Sequence, residues 1–383
     1  MESISSSLNS TSADPRLLDL PDVCNEFNTL AIPSRQVADL YGLIFKPMEW
    51  FIVAVAIPAV SVAGILCNVA FFFVLIRVQD MRTLVNFYLA NLAVADMCFL
   101  LNTLSFSVWN AFYDPVNYAS PSTTSLGCIL FYWQVYIFAK GSLIFITLMG
   151  FERYLAICHP MRHRMINSKH RSVKLVVISW VLSAVLATAV IPMIAQVSIQ
   201  CYLWPRDDAF FHDIPIVASY CILPPRMGVY GQVYYFIQTI PFLFAMLSSV
   251  FCYSRIIIQL SRRTITQSNV EQIGTGGSTA PPSHVTKTRN DIAKMLVVNG
   301  IVFFLLSSPA EIPGVLTSVM HLTGNAWLSH RTLVQINWVA RCLLYVNSSI
   351  NPIIYSIVSP RYREAFRKAF GFKAPCAAPN SPP

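Results

Sequence analysis

Charge is what this sequence lacks. Asp, Glu, Lys and Arg make up 12% of its 383 residues, against about 25% in an ordinary soluble domain. So little charge argues against the two soluble domains that the length would otherwise allow. Catalytic signatures are missing as well. No His-Glu-x-x-His, Gly-x-Ser-x-Gly or P-loop occurs, and the seven His residues are scattered rather than clustered as metal ligands. The expectation is therefore no enzyme. No internal repeat is visible, which withholds support from an inverted-repeat transporter. The start, Met1–Lys46, has neither a basic opening nor a short apolar core, so no cleaved signal peptide is expected.

What is present is length of apolar run. Hydrophobic residues are 55% of the chain, and runs of about 20 such residues read as membrane-crossing helices. Seven are expected, over 48–78, 84–112, 125–158, 168–195, 229–260, 291–320 and 331–358. The connectors sort by charge. Nineteen Lys and Arg stand against five acids on one side, and six against eleven on the other. The basic side is expected to be cytoplasmic, with the N-terminus outside and the C-terminus inside. The net charge of +9 is then a record of topology, and no nucleic-acid partner is implied.

Outside the spans, Asn9-Ser10-Thr11 is a glycosylation sequon on the expected outer side. Cys24, Cys128, Cys201 and Cys221 fall on that side, where disulfides persist. Cys128 opens the third span and Cys221 precedes the fifth, so a Cys128–Cys221 bridge is one expectation. Cys201 is the rival partner, and Cys24–Cys201 a second bridge; four cysteines allow three pairings. Glu271–Ser283 is a Gly-, Ser- and Pro-rich inner loop. After the seventh span, Tyr362, Phe366 and Phe370 recur every four residues among basic ones, as in an amphipathic helix on an anionic leaflet. The expected fold is thus an all-α membrane protein, a seven-helix bundle with a short cytoplasmic amphipathic eighth helix. Its parts are an extracellular tail 1–47, the bundle 48–358, the eighth helix 359–371 and a short tail 372–383. Cys376, in that tail, is a palmitoylation candidate.

Polar residues inside apolar helices are expensive and point to function. Asp96 lies mid-span, and Asn68, Ser142, Asn347, Ser348 and Asn351 lie in other spans. Together they can form an oxygen cage for Na⁺ or an ordinary interhelical hydrogen-bond network. Glu152-Arg153 ends the third span, as a switch or as an interfacial anchor. Lys140, Glu311 and Arg341 fall toward the outer half, where Glu311 and Arg341 either pair with each other or contact a ligand. Pro309 and Pro352 each kink a span.

These residues, in order, resemble the rhodopsin-like (class A) G-protein-coupled receptors over about 50–370. The resemblance rests on Asn68, Leu92-Ala-Val-Ala-Asp96, Cys128, Glu152-Arg-Tyr154 with Pro160, Trp180, Tyr253, Phe303 with Pro309, and Asn351-Pro-Ile-Ile-Tyr355. It implies a plasma-membrane receptor in which Arg153, held by Glu152 at rest, meets a heterotrimeric G protein when helix six swings out. Tyr154, Tyr253 and Tyr355 complete that switch; arrestin is a further candidate partner, and Na⁺ an allosteric ion at Asp96.

Within the family the chain is similar to the neuropeptide branch, and there to the thyrotropin-releasing-hormone receptor type. Met81-Arg-Thr83, Ile157-Cys-His-Pro160 and Arg341 through Pro352 carry that likeness. It implies an extracellular peptide ligand, with Tyr136 and Arg341 carried over as contacts and Lys140 and Glu311 beside them. Departures stand at Lys140 (Asn in the family), Ala310 (Tyr), Ser307 (Trp), Ala245 (Pro) and Cys67 (Gly). A receptor active without agonist and, behind it, an ion-coupled transporter are the competing expectations.

Overall fold

The computed structural model describes residues 21–371 apart from 26–27, 32–43, 46, 114–115, 117–118, 196, 205–211, 213, 222–227, 273–283, 326 and 328–329. The Asn9 sequon, the loop at 273–283 and the tail with Cys376 lie outside the described residues. Long apolar runs become helices because a lipid-facing backbone can satisfy its N–H and C=O groups only within its own segment. The helices are α1 (Pro47–Arg77), α2 (Leu84–Phe112), α3 (Ser125–Cys158), α4 (Lys169–Thr188), α5 (Gly228–Gln272), α6 (His284–Thr323), α7 (His330–Val358) and α8 (Pro360–Phe370).

Several starts are dictated locally. The hydroxyls of Thr83, Thr124 and Ser168 accept from the backbone N–H of Asn86, Gly127 and Arg171, capping α2, α3 and α4. The bounds expected for α2 and α3 are met. Helix α4 stops at Thr188, short of the expected residue 195. Pro192 explains this, because its ring would collide with the carbonyl of Thr188 four residues back. The chain resumes as a single short turn, Ile191–Ile194. At the other end α5 and α6 outrun their apolar stretches, reaching Gln272 and starting at His284.

Helix α3 is central and packs on α2, α4, α5 and α6. The main core gathers Phe71, Leu92, Phe145, Ile146, Met149, Phe303 and Tyr355. Large apolar side chains such as Leu66, Ile76, Phe244, Leu247, Leu305 and Ile357 face outward instead. A soluble protein does not expose such a belt, whereas lipid covers it. Among the described residues, six helices are long and apolar enough to cross a membrane. The seventh, carrying Arg341, Asn347 and Asn351, passes only when taken with α8, to which it is bent by 102°. Helix α8 buries Tyr362, Ala365 and Ala369 and ends at Gly371, whose φ of 73° is left-handed. Arg361 donates to the carbonyl of Asp80 at 2.6 Å, and Tyr362 donates to Asn86, so α8 is stapled to the α1–α2 turn. The chain is an integral, multi-pass membrane protein.

A small sheet was not foreseen. Strand β1 (Thr29–Ala31) runs parallel to β2 (Val197–Leu203), which pairs antiparallel with β3 (Val217–Cys221). One face packs Tyr202, Trp204, Ala218 and Tyr220 with Ile44 and Val116. Two disulfides hold it, Cys24–Cys201 and Cys128–Cys221. The first ties the N-terminal segment to β2, and the second ties β3 to α3.

Candidate functional site

Three polar zones lie along the bundle axis. The first is at the disulfide end. Arg341, on α7, lies over the Trp338 ring at 5.6 Å, one helical turn away. Tyr132 and Tyr345 stand in its field. Tyr136 packs with Tyr132 against Val190 and Ile194, so the turn that Pro192 creates forms the wall behind it. This half is a guanidinium set among aromatic rings.

A separate polar cluster joins α3, α5 and α6. Buried Lys140 donates to the backbone carbonyl of Gln238 at 3.0 Å. Thr239 donates its hydroxyl to Glu311 Oε2 at 2.9 Å, so adjacent residues of α5 bind both Lys140 and Glu311. The alternative of a Glu311–Arg341 pair is resolved against. Among the described residues no ion pair joins those two; Arg171 and His163 pair with Glu152, and Lys368 with Asp80. The four residues expected in the pocket therefore divide into an arginine half (Arg341, Tyr136) and a lysine–glutamate half (Lys140, Glu311).

The second zone is at mid-bundle. Asp96 is 1% exposed. Ser142 donates to its Oδ1 at 2.8 Å and Asn351 to its Oδ2 at 2.7 Å, with Ser348 within reach. Asn347 donates to Ser307 at 3.1 Å, while its own buried Oδ1 has no partner. Asn68 bridges to the carbonyls of Gly64 and Ser348. A carboxylate, two hydroxyls and an unpaired amide oxygen are the hard donors that a small cation takes. The set fits Na⁺, with one change from expectation: Asn351 turns its amide nitrogen to Asp96, so it orients the carboxylate rather than offering an oxygen.

The third zone is at the opposite end. Glu152 is 4% exposed, and Arg171 of α4 donates to its Oε1 at 2.6 Å. His163, on the short inner helix Pro160–Ile166, lies 3.6 Å from Oε2. Both oxygens of the carboxylate expected to hold Arg153 are thus engaged by the next helices along the chain. Burial pushes the His163 imidazole below its ordinary value, with the Glu152 carboxylate pulling it back up. A histidine ordinarily near 6.5 and depressed further is neutral at pH 7, so Arg171 is the charged partner. Folded, His163 binds fewer protons than when unfolded, so acid below about pH 6.5 weakens this packing.

Arg153 is half-buried and lines a cavity of about 440 Å³ together with Ala156, Met161, His163, Arg164 and Asn167. Tyr154 bonds His159 at 3.0 Å. Tyr253 is buried between α3 and α6, where a Cβ on Gly150 or Gly300 would meet its ring. Tyr355 packs edge-on against Phe71, with ring centres 5.5 Å apart, and near Tyr362 at 5.7 Å.

Sequence reasoning missed Trp338, Tyr132, Gln238, Thr239, Arg171 and His163. The spacing of Trp338, three residues before Arg341, held a usable signal. The partners of Lys140 and Glu152 come from other helices, and nothing local points to them.

A bundle of membrane-crossing helices with polar residues and a disulfide-stapled sheet toward one end and an acid–arginine cluster at the other has the architecture of a transmembrane receptor. The model of the 7 transmembrane receptor (rhodopsin family) matches residues 67–355, well over half of the sequence, and the chain belongs to that family. It is 27% identical over 322 residues to the thyrotropin-releasing hormone receptor of Ovis aries, covering 80% of this chain and 74% of that protein. The human form of that receptor is 26% identical over 322 residues, with coverages of 80% and 74%. Neuromedin-U receptor 2 of Rattus norvegicus is 26% identical over 318 residues, with coverages of 82% and 74%.

Proposed function

We propose that this chain is a plasma-membrane receptor for an extracellular peptide, with its disulfide end outside, and that it passes agonist binding to a heterotrimeric G protein. The observation that carries the reading is Arg341, a guanidinium not paired to Glu311, set over Trp338 among tyrosines in a bundle whose α3 is bridged to the sheet. Such a fork takes a peptide carbonyl or carboxylate in two parallel hydrogen bonds, and the aromatic wall takes apolar side chains. The related receptors named for a peptide hormone and a neuropeptide favour the same ligand class. The transporter expectation falls with the family assignment. The test is calcium release and nucleotide exchange in cells expressing the chain, across a panel of neuropeptides. Responses to none of them, beside a functional control receptor, would remove the peptide reading.

Agonist binding at the pocket would release the Arg153 end for α6 to move outward, with Tyr253 and Tyr355 supporting the open arrangement. In the resting arrangement Glu152 holds α4 and the inner helix rather than acting through Arg153 alone. Removing the charge of Glu152 leaves Arg171 uncompensated, at a cost of about 1–3 kcal/mol for a partly exposed charged hydrogen bond. Glu152→Gln and Arg171→Gln are therefore both expected to raise basal signalling several-fold at matched surface expression. His163→Gln should change it little, because the imidazole is neutral. A silent Arg171→Gln beside an active Glu152→Gln would return the lock to Arg153.

Na⁺ would be held by Asp96 with the oxygens of Ser142, Ser348 and Asn347, supplying a counter-charge to the buried carboxylate. A cation that ties α2, α3 and α7 together favours the resting arrangement, so agonist affinity should fall as NaCl replaces choline chloride at constant ionic strength. Asp96→Asn should abolish that dependence. An equal response to Na⁺ in both proteins would place the effect elsewhere.

A further inference from the structure

Gln238 stands out among the polar residues that the mechanism leaves unused. It is 8% exposed, and among the described residues neither its Oε1 nor its Nε2 has a hydrogen-bond partner. A carboxamide removed from water with both ends unpaired is destabilising, so the folded chain by itself gives no reason for a glutamine here. Its surroundings suggest one. The backbone carbonyl of the same residue takes the Lys140 ammonium at 3.0 Å, and the next residue, Thr239, donates to Glu311 at 2.9 Å. Helices α3, α5 and α6 thus bring an amine donor and a carboxyl acceptor to neighbouring residues of α5, one of which carries a carboxamide with neither end paired among the described residues.

We infer that Gln238 contacts the ligand, and that with Lys140 and Glu311 it forms a subsite for a neutral group that both donates and accepts, the terminal carboxamide of a peptide. The inference rests on the peptide-receptor reading and deepens it. Lys140 and Glu311 give this cluster one amine and one carboxyl group, bound to adjacent residues of α5. A ligand carboxylate here would set a second acid beside Glu311, and a ligand ammonium a second amine beside Lys140. A carboxamide upsets neither. Its carbonyl accepts from Lys140 or Gln238 Nε2, and its NH₂ donates to Gln238 Oε1 or Glu311. Sites built to hydrogen-bond a group in this way discriminate sharply against the analogue that lacks it. The two halves of the pocket then divide the work, Arg341 with its aromatic wall on one side and the carboxamide clamp on the other.

The test has one arm that needs no agonist. Gln238→Met keeps the length of the side chain and removes both unpaired groups; Gln238→Leu serves if Met misfolds. The purified full-length variant without ligand should melt above the parent by about 2–4 °C. In the other arm, short peptides are made in pairs, each as the terminal carboxamide and as the free acid, and scored by calcium release. The parent should respond to the carboxamide at a concentration at least tenfold below that of the acid, and Gln238→Met should lose most of that preference. A lower melting temperature in both variants would show that Gln238 has a structural partner, and would overturn the inference. So would parent responses that ignore the terminal group or persist unchanged in Gln238→Met, while leaving the peptide reading intact. A parent that answers no peptide contradicts the underlying reading and takes the inference with it.

Discussion

Arg341→Lys will lower peptide potency by about 10–100-fold while surface expression stays at the parent level. The substitution keeps the charge but removes the planar fork and its stacking on Trp338. Charge-assisted hydrogen bonds contribute about 1.5–3 kcal/mol each, and every 1.4 kcal/mol is tenfold in affinity. The exchange Glu311→Arg with Arg341→Glu will not restore function, because the two side chains do not pair and Glu311 accepts from Thr239. Dose–response curves on matched cells read both results. Full potency in Arg341→Lys would reduce the guanidinium to a point charge, and recovery in the double exchange would restore the pair that the geometry rejects.

The second large effect is at the Cys128–Cys221 bond, which fixes β3 and the lid to the head of α3. Losing a native disulfide of this span typically costs about 2–5 kcal/mol. Cys128→Ser and Cys221→Ser should each remove most surface receptor or agonist binding, to a similar degree. The double variant should be no worse than either, since the halves of one bond are not additive. Cys24→Ser and Cys201→Ser should form a second such pair with a smaller effect, because their bond anchors the three-residue strand β1 rather than a span. A benign Cys221→Ser beside a Cys201→Ser as severe as Cys128→Ser would transfer the main bridge to Cys201.

The spans were legible because charge and apolarity separate so cleanly here. Helices α2 and α3 begin at Thr caps and end where the apolar run ends, so their bounds could be read directly. Helix α4 could not be closed correctly, because its apolar run continues through Pro192 while its backbone does not. The ends of α5 and α6 were misplaced for the opposite reason: both continue as polar helix past the last apolar residue. The sheet is hard to read from sequence, because Val197-Ser-Ile-Gln-Cys-Tyr-Leu203 carries only a partial alternation beside much longer apolar runs. Charged site residues are conspicuous in an apolar helix, and Lys140, Glu311, Arg341 and Asp96 were all found that way. Their partners are neutral amides, aromatics and hydroxyls, which look like any other packing residue until the helices are assembled. The choice between Cys24–Cys201 and its rivals likewise needed the register of β1 on β2, where Thr29 lies opposite Cys201.

The claim that this chain transmits peptide binding across the membrane is tested most directly by nucleotide exchange on a purified heterotrimeric G protein. The full chain is placed in lipid vesicles and peptides are supplied on the disulfide side. At least one peptide should accelerate exchange severalfold in the parent protein and fail to do so in Arg341→Ala. Exchange that no peptide alters, or that responds equally in parent and Arg341→Ala, would contradict it.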